Sequence, residues 1–155
     1  MIRAPFLALA LALVATPAVA LEAKQHVLKE VAVERADGST ERRFVPAENV
    51  TPGETVAYAI VFRNDRGVAA EGVVLTMPIP AEVLYVEGSA AGAGAVAAYS
   101  ADGGTTFGAR EALRVAGEDG MLRPAAPADL THVRWTVASI APGQSGQLSF
   151  KGVLK

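Results

Sequence analysis

The stretch TPGETVAYAIVF, residues 51–62, alternates large apolar side chains (Val56, Tyr58, Ile60, Phe62) with small or β-branched ones (Thr55, Ala57, Ala59, Val61). A period of two sends the two sets to opposite sides of an extended chain, which predicts a half-buried strand and excludes an amphipathic helix. Pro52-Gly53 before it and Asn64-Asp65-Arg66-Gly67 after it are residues that favour chain reversal, so turns should bound the strand. The pattern recurs near the C-terminus, where Ala141-Pro142-Gly143 separates Thr131–Ile140 from Gly146–Leu154. These two runs read as a hairpin, with Val133, Trp135 and Val137 on one strand and Leu148, Phe150 and Leu154 on the other facing inward.

Other runs follow the same grammar. Val27–Arg35 fits a helical face at Val27, Leu28 and Val31, but the repeat Val31-Ala32-Val33 followed by Asp37-Gly38 favours a strand leading into a hairpin turn. Its partner, Thr40–Val45, carries Glu41, Arg42 and Arg43, charges suited to a sheet edge. Gly72–Met77 places Val73, Leu75 and Met77 on one face and ends at Pro78-Ile79-Pro80, since neither proline can donate to a ladder. A short strand is predicted over Val83–Val86. Gly88–Ala98 is rich in Gly and Ala and reads as a flexible connection or a weak strand end. Val96–Ser100 should be a strand, Asp102-Gly103-Gly104 a turn and Thr105-Thr106-Phe107 its return. Ala112–Ala116 suggests a short strand, and Gly117–Pro127 a loop. No helical period is sustained after residue 20, so the fold class is all-β, a sandwich or barrel.

Residues 1–20, MIRAPFLALALALVATPAVA, place Arg3 before an uncharged run and end on Ala18-Val19-Ala20. This is the layout of a signal peptide cleaved after Ala20, and the run is well short of the ~20 residues that span a bilayer. The expectation is a periplasmic or secreted product with no integral membrane segment in the mature chain. The absence of cysteine rules out both a disulfide framework and a lipid-modified N-terminal Cys, so residues 21–155 must hold together as one domain by packing alone. Fourteen basic and 16 acidic residues give a net charge of -2, which argues against nucleic acid as a partner. The last strand runs to the end of the sequence, and no tail is expected there for a sorting signal or anchor.

In order along the chain come Pro52-Gly53, the aromatic strand Tyr58–Asn64, Val73-Val74 closing on Pro78-Ile79-Pro80, the step Val86–Ser89, the Trp135 strand and the Pro142-Gly143 turn. Across residues 50–154 this set resembles the DUF11-type conserved repeat domain of bacterial envelope and surface proteins. The resemblance implies an immunoglobulin-like antiparallel β-sandwich, normally one module among several. This chain departs from that pattern in carrying a single copy and in lacking an acidic residue at Thr76-Met77.

No set of residues spells out a reaction. His26 and His132 are the only histidines, too few ligands for a zinc site without carboxylates brought in from loops. Gly143-Gln144-Ser145-Gly146 is one residue short of a nucleophile elbow and joins two strands. Asp102-Gly103-Gly104-Thr105 offers oxygens but no alternating carboxylates for Ca²⁺, and a turn explains it better. Asn49-Val50-Thr51 matches a glycosylation sequon but is followed by Pro52. Trp135, the sole Trp, alternates with His132 and Arg134 and so belongs in the core and not on a carbohydrate-stacking surface. Arg42, Arg43, Arg63 and Arg66 lie near turns and edges, where a solvated face accounts for them.

The functional expectation is therefore a non-enzymatic module with no catalytic, cofactor or metal residues, acting on another envelope or surface protein. The alternative is a ligand-binding module, for glycan among others, using loops at one end of the sandwich.

Overall fold

A computed structural model describes residues 21–155, and the predicted signal peptide lies outside the described residues. Among the described residues eleven strands form: β1 (Leu21–Glu34), β2 (Thr40–Pro46), β3 (Thr55–Asn64), β4 (Ala70–Pro78), β5 (Val83–Tyr85), β6 (Ala91–Gly92), β7 (Ala95–Ser100), β8 (Arg114–Ala116), β9 (Leu122–Pro124), β10 (His132–Ile140) and β11 (Ser145–Leu154). They assemble into a six-stranded sheet in the order β2-β1-β3-β11-β5, with β6 also on β11, a three-stranded sheet β4-β10-β7, and a small β8-β9 pair. All pairings are antiparallel. The two larger sheets face each other across one core, a sandwich-like all-β arrangement.

β1 and β2 form the expected hairpin. Gly38 takes a left-handed φ of 78°, and the Asp37 carboxylate accepts from the backbone N–H and the hydroxyl of Ser39. β1 begins six residues earlier than the pattern predicts, because Leu21 to Lys29 pair along β3 from Asn64 to Val56. A well-formed neighbour imposes extended structure on residues whose own alternation is weak.

β3 departs from the half-buried reading, since Ala57 and Ala59 are buried as well as Val56, Ile60 and Phe62. On the outward face Ala57 sits between Leu28 and Lys151, and Ala59 between His26 and Ser149. Larger neighbours on both sides leave a methyl group little accessible surface. Tyr58, expected inside, is only half-buried, although its ring stacks on Phe150 at 5.1 Å.

The C-terminal hairpin is corrected. β10 pairs with β4 and β7, whereas β11 pairs with β3, β5 and β6, so residues 141–144 carry the chain from one sheet to the other. Alternation alone fits either arrangement; the tether that decides it is Asn64, which is fully buried. Its backbone N–H donates to Gln144 O (2.8 Å) and its carbonyl accepts from Gly143 N (2.7 Å). Its side-chain amide donates to Ile140 O (2.8 Å) and Val68 O (3.0 Å), and its Oδ1 accepts from Arg66 N (3.0 Å). One side chain thus joins the end of β10, the crossing turn and the β3-β4 connection.

Three further readings of the middle region change. Gly88–Ala98 is not a free connection: it contributes β6 and the start of β7. β6 can lie against β11 because a Cβ on Gly92 would collide with Leu148 Cδ2. Residues 105–107 form no return strand, and only an isolated Tyr99–Gly108 bridge follows the Asp102 turn. The predicted strand 112–116 shortens to β8, and the predicted loop 117–127 contains β9. Each of these runs lacks a sustained alternation, so its pairing depends on where the rest of the chain delivers it.

Trp135 fills the centre at 1% exposure, packed in one cluster with Met77, Val133, Ile140, Leu148 and Phe150. Its indole Nε1 is buried with no hydrogen-bond partner among the described residues. Replacing Trp135 by Ala is expected to lower stability by about 3–5 kcal/mol from lost contact and the cavity left behind. Trp135→Phe should lose much less than Ala does, because it keeps an aromatic ring and removes a donor that is buried without a partner. Urea unfolding of the two variants measures both; a loss for Trp135→Phe as large as that for Ala would contradict this.

Candidate functional site

The residues considered for chemistry are kept apart. His26 is exposed on the outward face of β1, and His132 is half-buried on the outward face of β10, on the other sheet. Among the described residues no group of three or more His, Cys, Asp or Glu side chains comes together to hold a metal ion. Ser145 begins β11 and is exposed, so residues 143–146 form a strand-to-strand turn. Trp135 lies in the core, as its alternation predicts. A depression of about 730 Å³ lies against the β8-β9 hairpin, lined by residues that include Glu118, Asp119, Met121 and Arg123. The guanidinium of Arg123 is already bound by the carboxylate of Asp129.

Asp102 organises its own loop. One carboxylate oxygen accepts from the Ser100 hydroxyl (2.7 Å) and from the backbone N–H groups of Thr105 (3.1 Å) and Thr106 (2.9 Å). The other accepts the Thr106 hydroxyl at 2.6 Å. Hydrogen bonds from Thr106, then from Ser100 and Thr105, hold this carboxyl well below the usual aspartate range. Its lone pairs serve the turn, which is the role the sequence reading preferred. Buried Ser100 links this turn to the core end of β7, and the Thr131 hydroxyl donates back to Ser100 O.

The outward face of the three-stranded sheet carries a feature that sequence analysis missed. The Arg134 guanidinium lies over the Phe107 ring at 3.5 Å from its centroid, and Arg134 Nε donates to Thr76 Oγ1 at 3.2 Å. Phe107 also meets His132 edge-on. Alternation placed Arg134 outward, but nothing in the sequence brings Phe107 across from a loop. Next to this cluster Val74 (53% exposed) and Val96 (74%) flank Thr136 in one cross-strand row.

The other open surface is a flank. β7 lies above β6 and β5, as the Tyr85–Tyr99 ring contact and its hydroxyl hydrogen bond show, so β4 lies on the β3 and β1 side. The three-stranded sheet stops there. In register with buried Ile60 and Phe62, the β1 residues Gln25 and Ala23 are exposed, and Val27 opposite Tyr58 is 39% exposed. The six-stranded sheet therefore extends beyond its partner by β1, beside which β2 pairs only from Leu28 onward, leaving a step on which Val27 is exposed while Tyr58, Val73 and Leu75 are partly buried against the core.

Compared with protein-family models, with curated proteins and with solved structures, the chain matches none.

Because the Asp102 pKa is depressed in the folded state, its contribution to the loop is complete above the ordinary Asp range, near 4, and is lost as pH falls through the folded value. The Thr105 and Thr106 amide resonances should hold constant from pH 7 to about 4 and shift only at lower pH. Asp102→Ala should show the acid-state loop at neutral pH. Titration of those amides near pH 4 or above would contradict this bonding.

Proposed function

We propose that the protein is an exported, non-enzymatic β-sandwich module of immunoglobulin-like topology that acts by binding another protein of the bacterial envelope or surface. The observation that carries this reading is the flank, where Val27 is exposed and Tyr58, Val73 and Leu75 are only partly buried beside the unpaired edge of β4. Exposed apolar area of this kind, held on rigid strands, suits protein contact. The signal-peptide pattern supports a periplasmic or secreted location after cleavage following Ala20, and the resemblance to DUF11-type modules supports an architectural setting. The polar groups of the Asp102 turn are consumed by the turn itself.

Site-specific photo-cross-linking in the exporting cell tests this. A cross-linker at Val27 or Val96 should give a defined adduct with an envelope protein, and one at Met121, on the β8-β9 turn, should not. Turnover of ester, peptide, glycoside or phosphoester substrates that depends on a polar residue in 88–129 would overturn the proposal.

A further inference from the structure

The two larger sheets expose four outer edges, besides residues 21–27 of β1, which β2 does not reach. β2 carries Glu41, Arg42 and Arg43 and ends in Pro46. β5 and β6 are three and two residues long. β7 is capped at Tyr99 by a two-way backbone pairing with Gly108. Charge, shortness and covering are the usual means of stopping a sheet edge from pairing further. β4 is bounded by Glu71, a left-handed Gly72 (φ 58°) and Pro78, and between them Val73–Met77, VVLTM, carries neither charge nor proline.

The hydrogen-bond phase of β4 follows from one contact. Ile79 N donates to Thr131 O (2.8 Å), and the same register runs on through Met77–Val133, Leu75–Trp135 and Val73–Val137. In an antiparallel pair hydrogen-bonded and non-bonded residues alternate, so 73, 75 and 77 spend their N–H and C=O groups on β10. The N–H and C=O groups of Val74 and Thr76 point the other way, onto the free edge. Below that edge lies the step, floored over residues 21–27 by β1 alone, one strand spacing of about 4.8 Å.

We infer that the β4 edge and the step beneath it accept one extended strand of another polypeptide, which lengthens the three-stranded sheet to four. This deepens the interaction reading above and rests on it. The incoming strand bonds to the backbone of Val74 and Thr76, and its alternate apolar side chains cover Val73, Leu75 and Val27. Its outward residue opposite Thr76 is acidic. Arg134 reaches across to Thr76, and among the described residues no carboxylate pairs with it. A second copy of this chain does not fit edge to edge. Antiparallel pairing of β4 with its own copy sets the two-fold axis perpendicular to the sheet. Both six-stranded sheets would then lie on one side, and their overhanging β1 strands would occupy the same space.

The test uses the purified chain and a synthetic peptide, KTVEVTVEVK, whose valines share one face and whose glutamates lie on the other. Hydrogen exchange at the Val74 and Thr76 amides should slow tenfold or more on peptide addition. Arg134→Gln, or Gln in place of Glu in the peptide, should weaken binding several-fold. Val74→Pro should abolish it; that N–H has no ladder partner, so the edge tolerates the change. Val74→Lys, a charge at an exposed edge position, gives a second variant with the same expectation if Val74→Pro does not fold.

Unchanged binding to both Val74 variants, peptide shifts confined to β2 or to the outward face of the three-stranded sheet, or no binding at all would overturn the strand-acceptor inference. A monomer–dimer equilibrium that Val74→Lys abolishes would replace it with self-pairing. Cross-linking from Val27 or Val96 to an envelope protein would stand whichever of these was found, so failure at this edge is separable from failure of the interaction reading.

Discussion

The buried amide of Asn64 is the constraint on which the two-sheet arrangement depends. It ends β3 in the large sheet, holds the last carbonyl of β10 in the small one, and fixes both sides of the turn between β10 and β11. A buried polar group must find partners or lose a few kcal/mol, and here every partner is a backbone group at a chain reversal. The geometry is therefore demanded from both directions: the turns need Asn64, and Asn64 has no other way to be satisfied. With that joint in place, the inward faces of β3 and β11 meet those of β4 and β10, and Trp135, Phe150 and Met77 close the space between them.

The same joint explains why one side stays open. It aligns β4 above the β3 margin, while the hairpin before β3 adds β1 and β2 to the large sheet only. Six strands facing three cannot be covered evenly. The far margin is closed by β5, β6, the paired tyrosines Tyr85 and Tyr99 and the Tyr99–Gly108 bridge. At the near margin no further strand continues the small sheet, Val27 is exposed, and Tyr58, Val73 and Leu75 are partly buried against the core. The two histidines sit on different sheets, and the Asp102 carboxylate is bonded within its own turn.

Much of this was legible in the sequence where alternation was strong. The strand positions of β3, β4, β10 and β11, the inward direction of Trp135 and the Asp37-Gly38 turn all follow from local pattern and turn chemistry. What alternation does not encode is which sheet a strand joins, and for that reason β10 and β11 read as a hairpin although they face each other across the core. The weakly patterned segments were lost for a related reason: β6 exists because Gly92 lets it approach Leu148, a contact 56 positions away along the chain. Asn64 was visible only as a turn residue, since no sequence rule says that its side chain will reach Ile140. The Phe107–Arg134 stack was hidden in the same way, being a loop residue laid over a strand by tertiary structure.

The central claim, a core closed around β3 and β10 and left open along β4 and β1, is tested most directly by residue-resolved amide exchange of the chain by itself. The amides of Leu75, Met77 and Ile60 should exchange most slowly, and those of Val74, Thr76 and Gln25, within the same strands or their neighbours, should exchange at rates close to those of an unprotected chain. Uniform protection along β4 and β1 would mean that the flank is already covered, and the account would fail.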